Sequence, residues 1–169
     1  EAIWAADGAS AINAGTGALT VLGRGTVNLS SSAITAGTAS MTAENVAQTT
    51  RYDVIATNAL NNFTGAVSLI SGNNLSLKDA NDLTIGTSNI SGNLIAEALG
   101  GDLTIGGKLS KTSGADATAN FKASGSIFQN ASTTVSSTSN KLNSVFWADT
   151  DANGGYIQVN TGSSIATNG

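Results

Sequence analysis

Between Ala66 and Leu109 the chain reads AVSLISGNNLSLKDANDLTIGTSNISGNLIAEALGGDLTIGGKL. The pair apolar-x-apolar recurs in it as Val67/Leu69, Leu75/Leu77, Leu83/Ile85, Leu94/Ala96 and Leu103/Ile105, with Gly, Asn, Asp and Ser between the pairs. Alternation at a period of two gives a strand one buried face, and the small polar residues supply the turns. Leu83 and Leu103 stand in near-identical settings, NDLTIG and GDLTIG, 20 residues apart. Leu75 and Leu94 are 19 apart. A repeat of about 20 residues holding two or three short strands is the signature of a β-solenoid. The reading is all-β: a single parallel β-helix of about eight coils over residues 1–169. Its core is expected to include Leu69, Leu75, Leu77, Leu83, Ile85, Leu94, Leu103, Ile105, Leu109, Ile157 and Val159.

The repeat is regular over 61–109, looser over 1–60 and drifting over 110–169. In the looser zone, Leu19/Val21 and Val27/Leu29 lie eight residues apart, as do Val67 and Leu75. The segment after Met41 fits either a short helix over 43–49, with Thr42 as its N-cap, or a strand pair around Val46 and Val54. The neighbouring strands favour the pair. Further on, Phe121/Ala123, Ile127, Val145/Trp147 and Ile157/Val159 keep the rhythm, and Ile165 reads as the start of another coil. Neither end resembles the charged, atypical cap that closes a solenoid's open ladder.

Composition agrees. Of 169 residues 40% are hydrophobic, but only 5% are aromatic and 11% charged, against about 25% charged in an ordinary domain. Twenty Gly and no Pro suit a body whose backbone N–H groups belong to ladders. The periodic apolar positions argue against disorder. A net charge of −4 with two arginines, Arg24 and Arg51, excludes an electrostatic footprint on nucleic acid. No apolar run is long enough to cross a bilayer. The opening residues EAIWAADGAS lack the charged start and apolar stretch of a signal peptide, so a piece of a longer precursor is expected. Cysteine is absent, which removes disulfides and thiolate metal sites.

With these residues in view, GAVSLISGNNLSLKDANDLTIGTSNISGNL (65–94) resembles repeat regions of filamentous-haemagglutinin-like exoproteins, the adhesins of two-partner secretion. The stretch from Ser144 to Gly169 is similar to a segment that recurs in them. The resemblance implies a right-handed β-helix, export to the bacterial cell surface and a role in adhesion, aggregation or biofilm. The amino-terminal secretion domain of such proteins, with its NPNG-like motif, is not found, so this stretch corresponds to shaft.

Few side chains suggest chemistry. Asp149, Asp151 and Asn153, followed by Gly154, follow the D-x-D-x-N-G order of an oxygen-ligand calcium loop, but its twelfth position holds Asn160 instead of Glu. The competing reading is an Asx-rich turn between Trp147 and Ile157. Asp79, Asn81 and Asp82 form a second acidic turn, and Asn73 and Asn74 are placed to stack into a side-chain ladder. Histidine is absent, which removes Ser-His and Cys-His nucleophile pairs. The acids are scattered, and Lys108, Lys111 and Asp116 read as a solvated turn. No catalytic residue and no cofactor is assigned, and an enzyme is not expected. Asn-x-Ser/Thr sequons fall at Asn28, Asn62, Asn74, Asn89 and Asn130, as many as composition alone would produce. Phe63 and Phe121 fill coils. Phe146, Trp147 and Tyr156 cluster in sequence, and alternation sets Phe146 opposite Val145 and Trp147. An exposed member would suit sugar stacking or docking.

The expected function is the structural, adhesive shaft of a secreted surface protein. The rival readings are a filament subunit stacking head to tail through open ends and a carbohydrate-binding or lyase-like module. Expected partners are other copies, end to end or side by side, and a cell-surface glycan or protein.

Overall fold

The computed structural model describes residues 4–5 and 11–168. Within these residues there are 21 strands and no helix. They fall three to a coil. The first coil holds β1 (Trp4–Ala5), β2 (Ile12–Asn13) and β3 (Leu19–Gly23); the second β4 (Val27–Asn28), β5 (Ile34–Ala36) and β6 (Ala39–Ala43). The third holds β7 (Val54–Ala56), β8 (Asn62–Phe63) and β9 (Val67–Ser71); the fourth β10 (Leu75–Asp79), β11 (Leu83–Ile85) and β12 (Ser88–Ile90). β13 (Leu94–Ala98), β14 (Leu103–Ile105) and β15 (Leu109–Lys111) make the fifth, and β16 (Ala117–Ala123), β17 (Ile127–Gln129) and β18 (Thr134–Ser137) the sixth. The seventh comprises β19 (Leu142–Trp147), β20 (Ile157–Val159) and β21 (Ser164–Ala166). All strand pairs are parallel. The fold is the expected β-solenoid.

It has seven coils where eight were expected. The 19-residue step from Leu75 to Leu94 is the shortest in its sheet; Val27 to Val54 takes 27, and Ile127 to Ile157 takes 30. The extra residues lie in turns, which lengthen freely because a surface loop buries little and its closure cost grows slowly. Ile165 belongs to the last strand of the seventh coil, paired with Val135.

Register stacks like on like. In the first sheet (β1-β4-β7-β10-β13-β16-β19) Val27, Val54, Leu75, Leu94 and Ala119 form one inward column, and Ala56, Leu77, Ala96, Phe121 and Phe146 form the next. Large and small residues alternate in the second column from Ala56 to Phe121, so Leu77 and Phe121 each fill the space over an Ala. The Phe121 and Phe146 rings stack at 5.1 Å. At the corners, bare backbones touch: a Cβ on Gly37 would lie 2.3 Å from the Thr16 carbonyl oxygen.

Most of the expected core is buried, from Leu69 through Leu109. Ile157 and Val159 are exceptions, 49% and 52% exposed. Their parity is right, since Ile157 sits over the buried Ile127 and Val159 over the buried Gln129. They lie in the seventh coil, and no described coil covers them. Around Val46 there is neither helix nor strand. Asn45 folds a turn there, its Oδ1 accepting from the Thr49 and Thr50 amides, and Val46 points outward. Val54 opens β7 as expected.

One dislocation interrupts the stack. The second sheet runs β3-β6-β9-β11-β14-β17-β20, so it occupies the third place in the first three coils and the second place from the fourth onward. β9 and β11 join through one residue pair, Val67 with Ile85. The sheet β2-β5-β8 ends at this level and the sheet β12-β15-β18-β21 begins.

Candidate functional site

The dislocation leaves a concavity between the third and fourth coils. Ala80 donates its amide to the Asn61 carbonyl at 2.8 Å, and Ile85 lies over Val67. Between these anchors, the part of the fourth coil that lies over β8 is a turn rather than a strand. The turn leaves a cavity of about 430 Å³ between the coils, walled by Asn62, Phe63 and Thr64 below and by Asn81, Asp82 and Thr84 above.

Each wall is held by identifiable bonds. Asp79 is fully buried at the end of β10. Its carboxylate accepts from the Phe63 amide at 2.7 Å and from the Asn81 amide at 2.8 Å, tying both walls to one side chain. Burial pushes the Asp79 carboxyl above the usual aspartate range; the two amide donors oppose the rise and the nearby Asp82 charge adds to it. Asn61, also buried, accepts from the Ile34 amide and donates to the Ala56 and Lys78 carbonyls. Asp82 accepts through Oδ1 from the Asp102 amide at 2.8 Å. That approach requires Gly101, where a Cβ would fall 2.1 Å from this oxygen.

The Asn62 and Asn81 side-chain carboxamides, the Thr64 and Thr84 hydroxyls and the second Asp82 oxygen have no partner among the described residues. The cavity thus presents two carboxamides, two hydroxyls and one carboxylate oxygen over a buried phenyl ring. Such a set donates and accepts hydrogen bonds and carries one negative charge. The sequence reading picked out Asp79, Asn81 and Asp82 as an acidic turn but missed the cavity, because nothing local shows which turn lies over which strand.

The remaining candidates are dispersed. Asp149 Oδ1 accepts from the Gly154 amide at 2.8 Å, and Asp151 accepts from the Asn153 amide and side chain at 3.3 and 3.0 Å. The loop is built as the Asx turn that competed with calcium, with Asp149 in the left-handed region at φ 59°. Among the described residues no three acids converge on a common point.

Phe146, Trp147 and Tyr156 do not form one patch. Phe146 points inward onto Phe121, Trp147 points outward beneath the Lys122 ammonium at 5.6 Å, and Tyr156 stands edge-on to Phe128 at 5.5 Å. Trp147 continues an outward row of Lys78, Glu97 and Lys122, in which Lys78 and Glu97 pair at 3.0 Å.

Lys111 corrects the solvated-turn reading. It is fully buried, under a column begun by Ile90, and its ammonium donates to the Gly114 and Ser139 carbonyls. The signal was present in the strand LSK, where parity turns Lys111 inward with Leu109. Asp116 is exposed and accepts from the Lys141 amide of the next coil.

The expected side-chain ladder is present and directional. Asp53 accepts from the Asn74 amide, Asn74 Oδ1 from the Asn93 amide and Asn93 Oδ1 from the Thr118 amide, each one coil further on. A second ladder runs from Asp82 to the Asp102 amide and from Asp102 to the Ser126 amide. Comparison of the chain with protein-family models, with curated proteins and with solved structures gives no match, so its functional reading rests on these residues and their geometry.

Proposed function

We propose that the chain is a stiff shaft segment of a secreted bacterial surface protein that acts by presentation rather than catalysis. The observation that carries the reading is the in-register stack itself. Seven parallel strands in the first sheet, with inward columns such as Ala56–Leu77–Ala96–Phe121–Phe146, make a rod whose stiffness comes from continuous main-chain pairing. Six inter-strand steps of about 4.8 Å give a rod on the order of 30 Å long. Such a rod holds a binding element away from the cell or offers its flank to a surface. The resemblance of 65–94 to haemagglutinin-like shafts supports the adhesive and extracellular parts of the reading.

A second reading, end-to-end assembly into filaments, draws on the seventh coil. There Ile157, Val159 and Ile165, inward by register, stand uncovered. A parallel coil of the same kind would bury them and extend three ladders at once.

Electron microscopy of the purified chain over a range of concentrations separates the two. The shaft reading expects discrete short rods, and antibodies to the chain should label intact source cells. Uniform filaments with an axial repeat near the rod length would replace it with the assembly reading. Labelling only after permeabilisation would sink the surface location.

A further inference from the structure

We propose that the cavity over β8 is a binding site for a single neutral pyranose, free or as one residue of a glycan. This goes beyond the shaft reading, which needs no small-molecule site. The cavity exists because one turn, 80–82, replaces a strand over β8, and its walls are fixed by the buried Asp79 and Asn61. The site is therefore held open before any ligand arrives, which lowers the ordering cost of binding.

The lining selects the ligand class. Carboxamides offer a donor and an acceptor side by side, as vicinal hydroxyls do in return. Asn62 and Asn81 face the cavity from opposite walls, with Thr64 and Thr84 beside them. The free Asp82 oxygen accepts from sugar hydroxyls, and a charged acceptor makes the stronger bond. Phe63 closes the floor with its ring turned into the core, so the polar groups of the walls make the contacts with the ligand. Planar aromatic ligands are poorly served, because the Phe63 ring is 3% exposed and cannot be stacked upon. Anions are disfavoured by the Asp82 carboxylate at the rim. A metal ion would find one free carboxylate oxygen among amides and hydroxyls. A neutral polyol of ring size uses every group present.

The test is a ¹H–¹⁵N titration of the 169-residue chain with methyl glucoside, methyl galactoside, methyl mannoside, a neutral oligosaccharide and glucuronate. Saturable shifts are expected on the backbone amides of 62–64 and 81–84, with glucuronate clearly weaker than the neutral sugars. Saturation by the glycosides assigns a free sugar, and saturation by the oligosaccharide alone assigns a glycan residue; either supports the site. Asp82→Asn retains an oxygen for the Asp102 amide and should weaken binding about tenfold. Asn81→Ala, which removes a side chain with no partner, should do likewise with the remaining spectrum unchanged. The proposal is overturned if no sugar gives saturable shifts. It is equally overturned if saturation persists undiminished in both variants, or if the shifts map to Trp147 and Tyr156.

Discussion

The Phe63 amide donates to the buried Asp79 carboxylate at 2.7 Å, so a side chain of the fourth coil takes the position a strand partner would have taken over β8. An unpaired, buried N–H costs about as much as a lost hydrogen bond. Asp79 therefore makes the break in the sheet tolerable, and the break makes the cavity.

Titration of Asp79 should be visible in stability. Its folded pKa is raised, chiefly by burial, so the folded state binds this proton more readily than the unfolded chain. The linked stabilisation is fully present below the unfolded aspartate value of about 3.9 and is lost as pH rises through the folded value. Asp79→Asn has no such term. Melting temperatures of the two proteins between pH 4 and pH 7 should show wild type gaining on the variant toward acid. The opposite slope would mean that the Phe63 and Asn81 amides outweigh burial and hold the carboxylate ionised.

The ladders predict cooperativity between coils. Asn93 accepts from Thr118 of the next coil and donates its own amide to Asn74 of the previous one, at 2.9 and 2.7 Å. Asn93→Ala should cost about 1 kcal/mol, the net worth of one such bond near the surface. Asn74→Ala loses more, because the Asn74 side chain also donates to Asp53 at 2.9 Å. Chemical denaturation of both single variants and the double variant checks this. Strict additivity would show that the two bonds are independent rather than links of one ladder.

How much of this was legible depends on range. Pairs such as Leu83/Ile85 and Leu103/Ile105 declare their parity within three residues and their register within twenty, and the structure places them directly over one another. Coil number was misjudged because it depends on turn length, and turns such as 148–156 lengthen without disturbing the column from Ile127 to Ile157. The cavity was hidden for a related reason. Asn62 and Asn81 meet only because the chain turns one strand early after Asp79, a choice that no residue near Asn62 encodes. Ile157 reads as core by pattern, yet burial is a property of the covering coil and not of the strand.

Lys111 offers a test of what a buried cation contributes. Its stem lies in the core between Ile90 and Ser137, while the ammonium reaches the Gly114 and Ser139 carbonyls. Both carbonyls lie on turns and can rotate toward water when the donor is removed. Lys111→Ala empties the column and should cost about 2–4 kcal/mol, as large-to-small core changes do. Lys111→Met keeps the stem and should cost about 1 kcal/mol, close to the net value of the lost hydrogen bonds. Equal losses in thermal or urea melts would show that the ammonium, not the stem, holds the column.

Phe121 and Trp147 give the sharpest test of the inward and outward parities in the last coils. Phe121 is fully buried between Ala96 and Phe146, whereas Trp147 is 55% exposed and touches Lys122 through its ring face. Phe121→Ala removes a packed ring and should destabilise by about 3–5 kcal/mol. Trp147→Ala removes one exposed cation–π contact and should cost about 0.5–1 kcal/mol. Trp147 fluorescence should accordingly be accessible to an added quencher in the folded protein, and Lys122→Ala should shift its emission while leaving the melting temperature nearly unchanged. A Trp147 variant as destabilised as the Phe121 variant would mean that the indole is packed inside the solenoid, and the register assigned between β16 and β19 would have to slip by one residue.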